Sequence, residues 1–204
     1  LRIEERPYSF SPDDYGFHIM DSPSKMFMEI QKLNKRSGNK ARMLAGYCWD
    51  WVSKKDPNAY DIEIEDFRAR WNYSNTKTWA IDPESVDEVG CIHTSQGLEF
   101  RYCGVIIGPD LRYENGTVIT DFSKRASTDK SLSGLIGRCR KGDEAALKES
   151  DIIIRNTYRT LLSRAMLGTY VYCTDKALAD YFREKLSDTR SYYSGSNAAE
   201  QGKY

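Results

Sequence analysis

Seven consecutive residues combine an imidazole, two hydroxyls, an amide and a carboxylate with one glycine: His93, Thr94, Ser95, Gln96, Gly97, Leu98 and Glu99. Hydroxyls and backbone amides suit contacts to phosphate groups that carry no base specificity. Gly97 permits a close backbone approach or a positive φ. The carboxylate of Glu99 could position a water molecule or a ribose hydroxyl. The alternative is a solvated acid at a helix start, which the helix dipole favours.

A second reactive group is the guanidinium of Arg164, between Ser163 and the small residue Ala165. Arginine is always charged and binds phosphate through two donors. A guanidinium delivered from a neighbouring domain stabilises the charge that spreads over a γ-phosphoryl group, and this accelerates hydrolysis on the order of 10³- to 10⁵-fold. The alternative is a surface arginine on an amphipathic helix.

Strands alternate with helices along the chain, which predicts an α/β fold with a mainly parallel sheet. Strands are predicted over 17–20, 43–48, 60–65, 89–93, 102–107 and 168–173. Helices are predicted from the cap at Ser22 through Leu33, from about Asp143 to Met166, and over 176–186. In such sheets function gathers at the carboxyl ends of the strands. We therefore expect residues 93–99 and Arg164 to lie there, facing one open surface.

The remaining segments define the expected organisation. Asn115-Gly116 between strand formers predicts a hairpin, whereas residues 67–83 give no clear pattern. Residues 122–142 are polar and predict a mobile insertion. We predict an extension from a preceding domain over 1–16, the principal domain over 17–186, and a disordered Ser/Gly/Asn-rich tail over 187–204.

Two segments resemble motifs of superfamily 1 helicases. Residues 89–100 resemble motif V, in which a strand ends in a small polar turn followed by Gln or Lys, Gly, Leu, Glu and Phe. Residues 156–166 resemble motif VI, an apolar stretch followed by Thr or Ser, Arg and Ala. Segments 42–49, 104–111 and 155–158 are similar to a bacterial family of helicase-like ATPases related to the Schlafen helicase-like domain. The resemblance covers residues 17–186.

The resemblance implies a second, C-terminal RecA-like domain, a P-loop NTPase-type fold that here lacks the P-loop, and it implies ATP hydrolysis. Arg164 matches the catalytic arginine of motif VI. Gln96, Gly97 and Glu99 match residues that lie at the nucleotide. Gln96 stands where the family often has lysine; it forms hydrogen bonds but carries no charge, which puts its phosphate role in doubt.

The same resemblance implies contacts to nucleic acid. His93, Thr94 and Ser95 match positions that touch the sugar–phosphate backbone in these helicases. The alternative is that they satisfy a strand-end turn. A cluster of aromatic residues also follows a predicted strand, and its rings suit either base stacking or core packing: Tyr47, Trp49 and Trp51.

Two parts of a complete ATPase are absent from this sequence. It contains no G-x-x-x-x-G-K-[ST] phosphate loop, and no Asp-Glu pair after an apolar strand offers a magnesium site. We expect ATP and Mg²⁺ to be held mainly by an N-terminal RecA-like domain of the same protein, with this chain a fragment of it. Single-stranded DNA or RNA is the expected partner. The alternative is a regulatory or protein-binding module without unwinding activity. A nuclease is a third possibility, but the sequence contains no clustered set of Asp, Glu and His residues that would support it.

Composition narrows the class only slightly. Lys plus Arg equals Asp plus Glu, 30 against 30, so net charge gives no reason to expect nucleic-acid binding but leaves room for a local basic strip. Five cysteines without a CxxC pattern favour reduced, buried thiols over a zinc site, so no metal site is predicted. No apolar run has membrane-spanning length. A cytoplasmic, bacterial protein is expected.

Overall fold

A parallel sheet with helices on both faces organises the molecule. The computed structural model describes residues 15–72, 78–95 and 99–201, with side chains through Asp188. The strands are β1 Gly16–Ile19, β2 Ala41–Ala45, β3 Ile62–Ile64, β4 Phe67–Ala69, β5 Val89–Gly90, β6 Phe100–Ile107, β7 Leu111–Glu114, β8 Thr117–Thr120 and β9 Ala165–Cys173. The helices are α1 Pro23–Arg36, α2 Ile136–Cys139, α3 Glu144–Leu162 and α4 Lys176–Gln201.

Within the described residues, the central sheet has the strand order β1-β9-β6-β2-β5, and each neighbouring pair is parallel. Two short antiparallel strand pairs, β3-β4 and β7-β8, lie outside this central sheet. The predicted α/β class with a parallel sheet flanked by helices is confirmed, and the arrangement is consistent with a RecA-like fold. The predicted hairpin is also present, with its turn at Asn115 and Gly116, both at positive φ.

The middle strand β6 is buried on both sides, as its apolar sequence predicts. Val105 and Ile107 face a core formed with α3 and α4, whereas Ile106 faces a second core formed with α1. On the α1 side Gly104 permits close packing, because a Cβ there would lie 2.9 Å from Ile30. The α1 helix begins as predicted, with the Ser22 hydroxyl accepting from the backbone N–H of Lys25 at 3.2 Å.

Several predicted boundaries are corrected. The strand expected over 89–93 ends at Gly90, and residues 92–95 form a turn. The helix expected to reach Met166 ends at Leu162, because the following backbone joins the sheet: Phe100 N–H donates to the Arg164 carbonyl at 3.0 Å. The last helix continues to Gln201, past the predicted start of the disordered tail. Part of the unassigned segment forms β4.

Residues 122–142 were predicted to form a mobile insertion, but much of this segment is packed against the rest of the protein. Leu132 is fully buried, and Leu135 and Cys139 are nearly so. Arg125, 2% exposed at its side chain, contacts Asp110 at 3.0 Å and Asp129 at 2.6 Å. Burial alone would lower the pKa of Arg125, but the two carboxylates raise it. The Lys/Arg content that suggested a solvated loop includes a cation buried in an ion network.

We expect Arg125→Met to destabilise the fold by about 3–5 kcal/mol, because it leaves the buried carboxylate of Asp110 without its cation. Chemical denaturation would measure the change in the free energy of unfolding. The exposed neighbour Lys124 provides the control, since Lys124→Ala should change stability by about 0.5 kcal/mol or less. An Arg125→Met protein within about 1 kcal/mol of the parent would show that the ion network does not hold the segment.

Candidate functional site

Glu99 and Arg164 lie together at one edge of the central sheet. Each directly precedes a strand, β6 and β9 respectively, and these strands are parallel neighbours with Phe100 paired to Ala165. Both residues therefore lie at the amino ends of the strands. From the sequence we expected both residues at the carboxyl ends of the strands, and this prediction is wrong. The predicted strand began at residue 168, whereas β9 begins at Ala165, so Arg164 lies directly before a strand and at its amino end.

The side chain of Arg164 has hydrogen-bonding capacity that the chain does not use. Arg164 is partly buried, and its Nε is shielded from solvent without a hydrogen-bond partner among the described residues. Most buried polar groups in proteins are hydrogen-bonded, so such an atom needs an explanation. Glu99, in contrast, is exposed. This edge thus carries a partly buried guanidinium and an exposed carboxylate, on residues that precede two paired strands. Gln96 and Gly97 lie outside the described residues.

The opposite, carboxyl edge carries the turn that follows β5. Thr94 closes this turn: its Oγ1 accepts from the backbone N–H of Cys91 at 2.9 Å and lies 2.9 Å from Asn72 Oδ1. Ser95 is fully buried and donates its hydroxyl to the Ile92 carbonyl at 3.2 Å. A buried hydroxyl does not reach an external ligand while this turn persists. Of the three residues predicted to contact nucleic acid, His93 alone is fully exposed.

His93 borders a groove of about 610 Å³ at this edge, which we call the carboxyl-edge groove. Its walls are the loop that follows β2 and the segment that follows β8, and its floor is the turn after β5. The lining residues are Tyr47, Trp51, Lys54, Lys55, Asn72, Cys91, His93, Thr94, Ser127, Thr128, Asp129 and Lys130. A second cavity of about 270 Å³ shares part of this lining and reaches α3. The predicted site residues thus divide between two edges of one sheet.

The three aromatic residues after β2 have different surroundings. Tyr47 stacks on the buried Trp71, with ring centroids 5.2 Å apart and planes inclined by 13°. Trp49 accepts the Trp71 indole N–H at its backbone carbonyl and packs against the α1-side core. Trp51 lines the groove, with the Lys54 ammonium 5.4 Å from its ring centroid. All three rings pack against the α1-side core, and Tyr47 and Trp51 also line the groove, so packing and groove lining are combined in the same residues.

The described residues contain no group of three or more His, Cys, Asp or Glu side chains that could hold a metal ion. In the same part of the chain, no helix combines the length and apolar composition needed to cross a membrane. The described cysteines are unpaired thiols, and burial raises the pKa of Cys173 to about 12.

The structure is a parallel α/β domain with a partly buried arginine at one edge of its sheet and a groove at the other. The chain belongs to the family "Schlafen group 3, DNA/RNA helicase domain", whose model matches residues 2–175. An uncharacterized protein of Saccharomyces cerevisiae is 28% identical over 177 residues, which is 85% of this chain and 37% of the yeast protein. The chain thus spans little more than a third of that relative. No solved structure matches significantly.

We expect Thr94→Ala to lower the free energy of unfolding by about 1–3 kcal/mol, because it removes the acceptor of a shielded backbone N–H. Thr94→Ser keeps the hydroxyl and should stay closer to the parent. The exposed His93 gives the control, with a change of about 0.5 kcal/mol or less for His93→Ala. Urea denaturation distinguishes these cases. Equal stability of the Thr94→Ala and parent proteins would contradict the role of this hydroxyl in the turn.

Proposed function

We propose that this chain is the C-terminal RecA-like half of an ATP-dependent helicase or translocase. Its membership of a DNA/RNA helicase domain family supports a helicase-related role. The observation that carries the finer proposal is the pairing of Phe100 with Ala165, which places Glu99 and the partly exposed Arg164 at one edge of the sheet. A neighbouring N-terminal RecA-like domain would close over this edge. A cytoplasmic, bacterial parent protein belongs to the same proposal.

In this proposal Arg164 is the catalytic arginine, and Gln96, Gly97 and Glu99 contact the nucleotide. ATP bound with Mg²⁺ supplies the phosphoryl group that is hydrolysed. The donors of Arg164 suit the oxygens of that group, whereas the described residues offer no acidic cluster for Mg²⁺. The magnesium ligands and the phosphate loop are therefore assigned to the preceding domain. Arg164 would stabilise the charge that develops during transfer, and such an interaction lowers the barrier because it strengthens in the transition state.

At the opposite edge, the proposal assigns His93 to direct contact with a DNA or RNA strand. Thr94 would act mainly by shaping the turn, because its hydroxyl already bonds to Cys91 and Asn72. A side-chain role for Ser95 requires the turn to open, since this residue is buried. Binding at one edge and hydrolysis at the other is a workable arrangement for a motor that moves along a strand.

In the full-length protein, Arg164→Ala should reduce ATP turnover by about three to five decades. Arg164→Lys should restore little, because an ammonium lacks the planar fork of donors. ATP affinity should fall much less than turnover, since the interaction is strongest with the transition state. Steady-state ATPase assays and nucleotide-binding titrations measure the two effects.

The control for Arg164 is Arg159→Ala, which removes an exposed arginine in the last turn of α3, the helix that precedes Arg164. It should leave turnover near the parent value. Thermal melts would verify that each variant is folded. An Arg164→Ala protein that melts normally and hydrolyses ATP at the parent rate would refute the catalytic assignment and favour a regulatory or protein-binding module.

The chain on its own should not hydrolyse ATP, because its sequence contains no phosphate loop. We expect ATP affinity to be roughly millimolar at best, because one wall of a two-domain site supplies only part of the binding energy. A phosphate-release assay on the purified chain tests this expectation. Turnover that disappears in an Arg164→Ala variant of the chain itself would overturn the two-domain assignment.

A further inference from the structure

The carboxyl-edge groove has a fixed shape because its two walls are hydrogen-bonded to each other. The backbone N–H of Ala126 donates to the Tyr47 carbonyl at 2.9 Å. Asp50 accepts from the Ser127 hydroxyl at 2.9 Å and from the Thr128 backbone N–H at 3.3 Å. The Ser127 hydrogen bond lowers the pKa of Asp50, so this link is present at neutral pH. The loop after β2 and the segment after β8 therefore form one unit.

The loop that carries Trp51 is also held in place by hydrogen bonds to a buried carboxylate. The buried carboxylate of Asp61 accepts from the Ser53 backbone N–H and hydroxyl at 2.7 and 2.6 Å, and from the Trp71 N–H at 2.7 Å. Ser53 lies between Trp51 and Lys54, so these bonds fix the loop at the point where it lines the groove. A pre-formed wall lowers the entropic cost of binding, because fewer groups must be ordered.

The charges around the groove are unbalanced in favour of cations. Lys54, Lys55 and Lys130 are exposed, and none of them forms an ion pair with another described residue. Asp129, the acidic residue of the lining, is buried and bound to Arg125 at 2.6 Å. Its charge is thus neutralised inside the protein. The groove lining presents three ammonium groups, which attract phosphate oxygens; the hydroxyls of Ser127 and Thr128 are already donated to the exposed carboxylate of Asp50.

Trp51 adds a flat apolar surface to this basic lining. An indole stacks on any base, because every base has a π-face, and such stacking tolerates changes in sequence. Lys54 now lies over the ring, but it is exposed and its flexible stem lets the ammonium move to a phosphate when a base takes its place. An acidic peptide would satisfy the lysines but would leave the indole without a planar partner.

We propose that the carboxyl-edge groove binds a single nucleic-acid strand, with one base stacked on Trp51 and the adjacent phosphates held by Lys54, Lys55 and Lys130. This inference rests on the proposed function and deepens it, because it names the residues that hold the strand and the mode of recognition. Recognition is independent of sequence. His93 borders the same groove and places the turn after β5 beside the bound strand.

The test measures fluorescence anisotropy of labelled oligothymidylate with the full-length protein. Trp51→Ala should weaken binding about 5- to 100-fold, the range that alanine substitution of a base-stacking ring produces. Trp51→Phe keeps a ring and should lose less. The matched control is Tyr60→Ala, which removes an exposed aromatic ring that lies 4.9 Å from Arg70 and is outside the groove lining. This control should bind like the parent.

Two further arms separate stacking from charge. On an abasic strand of the same length, Trp51→Ala and the parent should bind equally, because no base is present to stack. Each Lys→Gln change at Lys54, Lys55 or Lys130 should reduce the slope of log affinity against log salt by about 0.7, the value for one phosphate contact on a single strand. If Trp51→Ala does not fold, the phenylalanine and lysine variants carry the test.

The outcomes also separate this inference from the proposed function. Strand binding that is unchanged in Trp51→Ala and in the lysine variants would overturn the groove assignment, while the Arg164 experiments would still decide the ATPase assignment. Parent protein that binds polyglutamate but no oligothymidylate would also overturn it, in favour of a protein partner. Loss of affinity in Trp51→Ala together with parent-like strand binding by Tyr60→Ala supports it.

Discussion

The pairing of β6 with β9 determines where this domain can act. Six of their residue pairs share one register, from Tyr102 with Gly168 to Ile107 with Cys173, and a seventh, Phe100 with Ala165, follows a register shift. Parallel pairing aligns the residues before both strands at one edge and the residues after them at the other. A displaced register would separate Glu99 from Arg164. The buried residues of β6 keep this register, because a one-residue slip would turn the apolar side chains of one face to the other.

Helix α3 connects the two edges. Close to its C-terminal end, Tyr158 reaches the carboxyl edge, where its hydroxyl accepts from the Gly108 N–H at 2.9 Å and donates to Asp110. Asp110 in turn binds Arg125, which holds the wall of the groove. The helix ends at Leu162, two residues before Arg164. One helix is therefore linked both to the supports of the groove and to the segment that carries Arg164. A Cβ at Gly46 would overlap the Tyr158 hydroxyl, so glycine there preserves this junction.

Sequence periodicity was sufficient for the elements but not for their ends. Alternating strands and helices predicted the sheet, and Ser22 and Asn115-Gly116 predicted a cap and a turn that the structure contains. The end of α3 was misplaced because β9 extends back to Ala165, a choice set by pairing with Phe100 rather than by local preference. The packed state of residues 122–142 could not be predicted, since Arg125 and Asp110 are 15 positions apart and only the fold joins them. The motif residues were found by resemblance, but their division between two edges needed the strand order.

Charge distribution explains why a chain with equal numbers of acids and bases can still attract a polyanion. The total of 30 against 30 counts every group equally, whether or not its charge reaches solvent. Near the groove, the carboxylate of Asp61 accepts hydrogen bonds from backbone N–H groups, and the carboxylate of Asp129 forms an ion pair with Arg125. Both carboxylates are buried. The lysines at the rim have no such partners among the described residues and remain in solvent. A strand that approaches this face therefore meets an excess of positive charge, and such local fields guide association although the net charge is zero. The field at the surface depends on which charges the fold encloses: among the groove-lining residues the one acid, Asp129, is buried and the three lysines are exposed, while Asp50 behind the lining is an exposed carboxylate.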